Sequence, residues 1–281
     1  MPEIKPGDDI GRLICEAFNV KDQDVIVVTS KIVSKAEGRL VKLEDVIPSE
    51  EAEKLAKKTG KPAKLVELII RNAKVVALIP VFSFIQEGAV DPRTLSDDVG
   101  KVFTVLERDK SLLLTLVGGS IYTDAGVDFS NVPPGYAVLP PENPNKSAKR
   151  IRESIKMTSG KDVAVLISDT EVFIGGSIEV CRGYAGICPV KRRFGEEDIY
   201  GREKYGGCEA LAHEICCAAS LLMGQAGEGI PVVVIRGMNY EKSCSVPEPD
   251  LEKAIKILLR ENVKLIGLRN IISALYNLLK K

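Results

Sequence analysis

Residues 162–170 read DVAVLISDT, and this stretch decides what kind of molecule the chain must form. Val163 to Ser168 is short, continuous and rich in β-branched residues, the pattern of a strand buried on both faces. It ends on two polar residues, Asp169 and Thr170. Two other stretches repeat the arrangement: VIVVT (25–29) before Ser30-Lys31, and PVVVI (231–235) before Arg236-Gly237. In open sheets, ligand-binding groups gather beyond the carboxyl ends of buried strands, so these three exits are expected to carry the chemistry.

Helices are readable around them. Pro48-Ser49-Glu50-Glu51 reads as a helix start, with Ser49 as cap and two acids at the positive end of the dipole. AEKLAKK follows and Gly60 closes it. Pro62 opens a second helix, AKLVELIIRNA, with Leu65, Val66, Leu68 and Ile69 on its apolar side. A third begins near Ser147 (SAKRIRESIKM), and EALAHEICCAASLLM (209–223) ends in glycine. The tail, DLEKAIKILLREN then VKLIGLRNIISALYNLLKK, predicts one or two amphipathic helices. Between residues 86 and 126, FTVLE and SLLLTLVG read as a hairpin behind the acidic loop DPRTLSDDVGK. Strands and helices mix without a βαβ rhythm, so the expected class is α+β and not a Rossmann domain.

Composition narrows the function. The 281 residues are 45% hydrophobic and 28% charged, enough for one large domain or two interlocked smaller ones. Basic and acidic residues number 39 each, and no basic tract stands out to hold a phosphate backbone, so no nucleic-acid partner is expected. VVALIPVFSFI (75–85) is too short for a bilayer and carries a proline, so no membrane partner is expected either. MPEIKPGDD has neither a basic nor an apolar leader region, which points to the cytoplasm. Seven cysteines, an odd number without CxxC spacing, are expected to be buried or half-buried thiols in a reducing compartment. Glu50–Lys54 and Glu53–Lys57 give the spacing of helix ion pairs, a hint of heat tolerance.

The chemistry-bearing residues are few. No GxxxxGK[ST] is present, and no GxGxxG follows a strand. Gly224-Gln225-Ala226-Gly227-Glu228-Gly229 runs from helix into strand and, alone, reads as a helix cap and turn. DAGVDFSN (124–131) packs Asp124, Asp128 and Asn131 into one turn, suited either to Mg²⁺ with phosphate or to Asx side chains satisfying their own backbone. Asp169 is sharper, because a carboxylate closing an apolar strand needs a cation or several donors to offset desolvation. Asp128 and Asp169 sharing a divalent ion would meet that need, and such a site suits phosphoryl transfer from a nucleotide. His213, the one histidine, has no Ser or Cys nucleophile motif beside it and reads as structural. Cys188 and Cys208 have no metal-ligand spacing that would join them to it.

VVTSKIVSKAEGRLV (27–41), AGVDFSN (125–131), LPPENPNKSAKRIR (139–152), DVAVLISDT (162–170), DIYGRE (198–203) and LLMGQAGEGIPVVVIRG (221–237) occur in this order. Over about residues 4–240 the chain resembles the coenzyme F420-0:L-glutamate ligase (gamma-glutamyl ligase) family. The resemblance implies a two-part α+β subunit in an intertwined homodimer. Residues 1–245 would form the ligase-like domain of two interleaved subdomains, and 246–281 a helical extension. It implies a ligase that uses GTP and Mg²⁺ or Mn²⁺ to join L-glutamate to a carboxylate acceptor, F420-0, through an acyl phosphate. Matched positions put Asp128 and Asp169 on one metal ion, with Thr170 and Gln225 near a second. Ser30, Lys31, Lys35 and Asn131 would lie at the nucleotide with the loop Met223, Gly224, Gln225, Ala226, Gly227, Glu228, Gly229 and Ile230. That overturns the plain reading of the glycine loop. No catalytic acid or base is singled out.

The departures are specific. The family's extra N-terminal strand and GLP-type loop are not matched before MPEIKPGDD. Its GRPxR-like arginine cluster is replaced by Glu171-Val172-Phe173-Ile174-Gly175-Gly176, and Arg182 stands where an apolar residue is usual. Its NAG reads Asp124-Ala125-Gly126, adding a negative charge beside the metal site, and its DPD reads Asn143-Pro144-Asn145. The tail after about residue 245 has no matched counterpart. The alternative reading is a paralogue that keeps the fold and nucleotide site as a binding or regulatory protein after losing catalysis.

Overall fold

The three apolar runs pair with one another. In a computed structural model, which describes residues 1–173, 176–247 and 250–279, they form three adjacent strands of a four-stranded sheet. Strand β1 (Val25–Thr29) runs parallel to β7 (Ala164–Phe173), in register from Val25 opposite Ala164 to Thr29 opposite Ser168. On its other side β1 pairs antiparallel with β11 (Val232–Ile235), and β7 turns back into β8 (Gly176–Ala185). Ile174 and Gly175, between β7 and β8, lie outside the described residues.

This corrects, in two ways, the expectation that the three strand exits carry the chemistry. Because β11 is antiparallel, its carboxyl end lies at the start of β1, where Arg236 forms an ion pair with Asp24 at 2.8 Å. The end of β11 nearest Ser30 is its beginning, just after the glycine loop. A strand's sequence does not encode its direction, so only pairing could reveal this. Asp169 and Thr170 are also not an exit: β7 continues through them, opposite Val180 and Glu179 of β8.

Side chains alternate across a strand, and both faces of this sheet are covered. Ile26, Val28, Val165 and Ile167 pack against α1 (Ile10–Ala17) and α7 (Pro144–Ser159) through Ile10, Ile14, Ile151 and Ile155. Val25, Val27, Ala164 and Leu166 pack against α8 (Leu211–Met223) through Leu211, Ile215, Cys216 and Ala219. α1 crosses α7 at Gly11, where a Cβ would stand 2.6 Å from that of Ser154. The third predicted helix is thus α7, capped by Asn143 and starting at Pro144, three residues before the start its sequence indicated.

A second part of the fold contains α3 (Glu50–Thr59), α4 (Ala63–Asn72) and a sheet of β3 (Lys74–Ile79), β4 (Leu112–Val117) and β5 (Ser120–Thr123). Ser49 caps α3 by accepting from the Ala52 amide, and Gly60 ends it at φ 75°, as the sequence predicted. Strands β2 (Leu40–Lys42) and β6 (Tyr136–Val138) pair beside it. Their shared core holds Leu65, Leu68, Ile69, Leu113 and Ala137. The predicted FTVLE hairpin is absent here. FTVLE lies inside α6 (Val99–Arg108), which Asp98 caps. Val102 and Leu106, four apart, form a helical stripe that packs on Ile85 of α5 (Val81–Gln86), and the β-branched residues between them concealed that period.

α2 (Ser30–Ala36) starts directly at the end of β1. β9 (Lys191–Arg192) and β10 (Cys208–Glu209) form a small ribbon. The tail forms two helices, α9 (Leu251–Ile266) and α10 (Leu268–Leu279), with Leu258, Leu265 and Leu268 exposed. Among the described residues no helix is long and apolar enough to cross a membrane. The chain is a mixed α+β protein.

The thiol expectation is partly overturned. Cys188 and Cys244 form a disulfide, their Cα atoms 5.1 Å apart. The Cys188 amide donates to the Glu241 carbonyl at 2.7 Å, so the segment after β11 is drawn against the one after β8. Nothing in a sequence separation of 56 residues announces that proximity. Cys15, Cys181, Cys216 and Cys217 are free and at least half-buried, whereas free Cys208 is exposed.

Candidate functional site

The end of β1, the middle of β7 and the loop leading into β11 meet around a cleft of about 610 Å³. Every residue singled out for nucleotide or metal in the sequence lines it: Ser30, Lys31, Lys35, Asp128, Asn131, Asp169, Thr170 and the loop Met223–Ile230. The order of the sheet explains why. β1 and β7 are parallel neighbours, so Ser30 and Asp169 fall side by side, and the Ser30 hydroxyl donates to Asp169 Oδ1 at 2.7 Å.

Asp128 stands opposite this pair, on the turn before β6. Lys31 Nζ lies 2.7 Å from its Oδ2, and the Ser130 amide donates to its Oδ1 at 2.8 Å. Burial alone would raise the Asp128 pKa, but Lys31 and Ser130 outweigh it and hold the carboxyl below its ordinary value. Asn131, at φ 54°, donates through Nδ2 to the Ala226 carbonyl at 3.1 Å. That bond ties the aspartate turn to the glycine loop. Within the loop, Glu228 accepts from the Ala226 amide at 2.9 Å, and a Cβ at Gly224 would collide with the Glu228 carboxylate. The loop is thus folded on itself, with positive φ at Gly224 and Gly229. Lys35 is buried, with its ammonium 2.5 Å from Glu3.

Asp169 has the opposite electrostatic character. Burial pushes its pKa up, to about 6, against the pull of Arg182 and Ser30, with Glu179 and Glu171 adding to the rise. Its second oxygen lies 3.8 Å from Arg182 Nε, beyond hydrogen-bond range. A desolvated, under-partnered carboxylate is the group a divalent cation stabilises.

The residues present suit such an ion only in one manner. Among the described residues no group of three or more His, Cys, Asp or Glu forms a metal cage. His213 is instead a structural acceptor, its Nδ1 receiving the Cys181 amide at 3.1 Å. Mg²⁺ needs no such cage, since it commonly takes one or two carboxylates and completes its shell with phosphate oxygens and water. Asp128 and Asp169 on one cleft match that pattern. Thr170 and Gln225 are also together, their Oγ1 and Oε1 3.0 Å apart.

Sequence reasoning missed Glu179. It is buried on β8 opposite Thr170, accepts from the Thr170 hydroxyl at 2.6 Å and from Gln225 Nε2 at 3.2 Å, and lines the cleft. Only strand pairing brings it there; no motif marks it. Two departures from the family pattern also prove to be one contact, because Arg182 and Glu171 form a buried ion pair. Glu171 accepts as well from the Thr123 amide and hydroxyl, at 3.1 and 2.9 Å. Asp124 does not add a free charge to the cleft. Lys61, whose side chain is 0% exposed, holds it at 2.8 Å and Asp109 at 2.8 Å.

Comparison with known proteins gives a consistent result. A sequence model of the family described as F420-0:Gamma-glutamyl ligase matches residues 1–237. The chain is 34% identical to the coenzyme F420:L-glutamate ligase of Methanosarcina acetivorans, over 93% of this chain and 96% of that protein. It is 37% identical to the enzyme of that name from Archaeoglobus fulgidus, over 88% and 89%. For the one from Methanothermobacter thermautotrophicus the values are 38%, over 84% and 86%. The first match leaves too little of the chain uncovered to omit all of 246–281, so part of the tail has a counterpart there, contrary to the sequence expectation.

Proposed function

This chain belongs to the F420-0:gamma-glutamyl ligase family, and from that premise we propose that it is a GTP- and divalent-metal-dependent ligase. It joins the amine of L-glutamate to a carboxylate acceptor, for which coenzyme F420-0 is the best-defined candidate. The observation that carries this reading is the convergence of Asp128, Asp169, Lys31, Lys35 and the glycine loop on one polar cleft.

In this reading Lys31 and Lys35 place positive charge beside the phosphates, and the amides of the glycine loop, which Glu228 now engages at Ala226, turn to the nucleotide when the site fills. Asp128 and Asp169 would hold one Mg²⁺ or Mn²⁺ ion, with Thr170 and Gln225 near a second, and ions held there would supply neutralisation of phosphate charge. Lys31 must exchange its contact with Asp128 for one with phosphate when the site fills. An acceptor carboxylate oxygen attacks the γ-phosphorus and GDP leaves. The amine nitrogen of glutamate then attacks the acyl carbon, phosphate leaves, and the amine's proton passes to solvent. Glu179 positions Thr170 and Gln225 through the hydrogen bonds given above.

The test is direct: incubate the full chain with F420-0, L-glutamate, GTP and Mn²⁺, and look by mass spectrometry for the glutamyl amide and for GDP. Product that requires all four components supports the reading. A protein that binds GTP but forms no amide with F420-0 or other carboxylates would instead be the binding or regulatory paralogue.

A further inference from the structure

The lining of the cleft also includes Pro2, Glu3 and Ile4, which the nucleotide reading does not use. The chain beside Glu3 is firmly placed. Ile4 is 5% exposed and belongs to the same apolar cluster as Ile32 and Val33 of α2. The Lys5 amide donates to Asp8 Oδ2 at 2.7 Å, and the Gly7 amide donates to the Ala36 carbonyl at 2.8 Å. These contacts lay the segment against α2, where Lys35 Nζ donates to Glu3 Oε1 at 2.5 Å.

The two partners are unequal. The Lys35 side chain is 8% exposed, and a buried ammonium needs a counter-charge or several acceptors to offset its desolvation. The Glu3 side chain is 75% exposed, so its carboxylate can turn to water at small cost. Asp128, which pairs with Lys31, is held in addition by the amide and the hydroxyl of Ser130. Of the two carboxylates that meet a lysine in the cleft, Glu3 is therefore the one that can leave.

We propose that Glu3 is an autoinhibitory counter-ion. It competes with polyphosphate for the Lys35 ammonium and must swing into water before a phosphate oxygen can take its place. The inference deepens the ligase reading and rests on it for the identity of the nucleotide. Exchange of one anion for the other keeps the buried lysine paired throughout. It also holds the affinity of the cleft for nucleotide below what the lysine alone would give.

Inorganic tripolyphosphate and GTP, each with Mg²⁺, are the probes, titrated calorimetrically into the full chain. Glu3→Gln keeps an oxygen for Lys35 to meet but removes the competing charge. It is expected to tighten both probes by about fivefold, the worth of one partly exposed ion pair. Lys35→Gln should weaken both, and adding Glu3→Gln to it should gain nothing more, because Glu3 acts through that lysine. Glu3→Gln that binds no tighter than wild type would overturn the proposal; weaker binding would make Glu3 a ligand of the metal ion instead. A full gain in the Lys35→Gln background would also overturn it, as a general effect of charge. The expected tripolyphosphate results without any GTP binding would sink the ligase reading alone. Neither probe bound by either protein would overturn both.

Discussion

The cleft and a second cavity of about 950 Å³ beside it share Leu112, Thr123 and Val172 as a wall but differ in the chemistry of their linings. The cleft is made where the chain turns: the end of β1, the aspartate turn before β6 and the loop into β11. It presents fixed charges, and two of its carboxylates are driven in opposite directions, Asp128 down and Asp169 up. The cavity is made from the middles of strands and from the tail, and offers mainly apolar area with Arg182 at one end. The contrast teaches that charge in the cleft acts at a few atoms, so single changes there are severe. Area in the cavity is spread over many side chains, so no single truncation there removes much of it.

That contrast can be broken. The largest effect is expected from Asp169→Ala, which should lower the rate of amide formation by about 10³-fold, ~4 kcal/mol. Quenched-flow assays read the rate, and a variant as fast as wild type would remove the distinction. Next is Lys61→Met, in the support of the cleft floor. It leaves Asp109 and Asp124 without their buried cation and should cost about 3 kcal/mol in urea unfolding. A variant as stable as wild type would show that the loop 124–126 holds itself.

A smaller effect should follow from Glu179→Gln, which keeps the shape but removes the charge that orients Thr170 and Gln225. Mn²⁺-dependent GTP affinity should fall about tenfold, ~1.4 kcal/mol. The smallest lies far from both voids. Glu67 accepts from the Ser49 hydroxyl and amide, and these bonds, with Arg71, lower its pKa from 4.5 to about 2. A carboxylate with a depressed folded pKa gives stability that is full above 4.5 and lost as the pH falls toward 2. Glu67→Gln should therefore cost about 1 kcal/mol at pH 7 and almost nothing near pH 2, as urea titrations at the two pH values would show.

How much was legible in the sequence follows the same division. β1, β7 and β11 stood out because a strand covered on both faces must be continuously apolar. Asp169 stood out because a carboxylate closing such a strand requires a partner, and Asp128 because oxygen donors crowd the turn 124–131. The Ser49 cap and the Gly60 stop are local, and both were readable. Residues brought in by pairing were not. Glu179 becomes part of the cleft only through its register opposite Thr170, and Lys61 only through a contact with Asp124 across 63 residues. The antiparallel direction of β11 and the bond between Cys188 and Cys244 are likewise properties of the folded chain. FTVLE failed for a different reason: its β-branched residues favoured a strand, while the i, i+4 spacing of Val102 and Leu106 and the Asp98 cap decided for a helix.

The most direct test of the central claim is calorimetric titration of GTP, with Mg²⁺ or Mn²⁺ present, into wild type and Asp169→Ala. The cleft as described predicts saturable binding by wild type that depends on the metal ion and is lost in the variant. Binding that survives in the variant, or that needs no metal ion, would contradict the assignment of Asp169. No binding by wild type would contradict the nucleotide site itself.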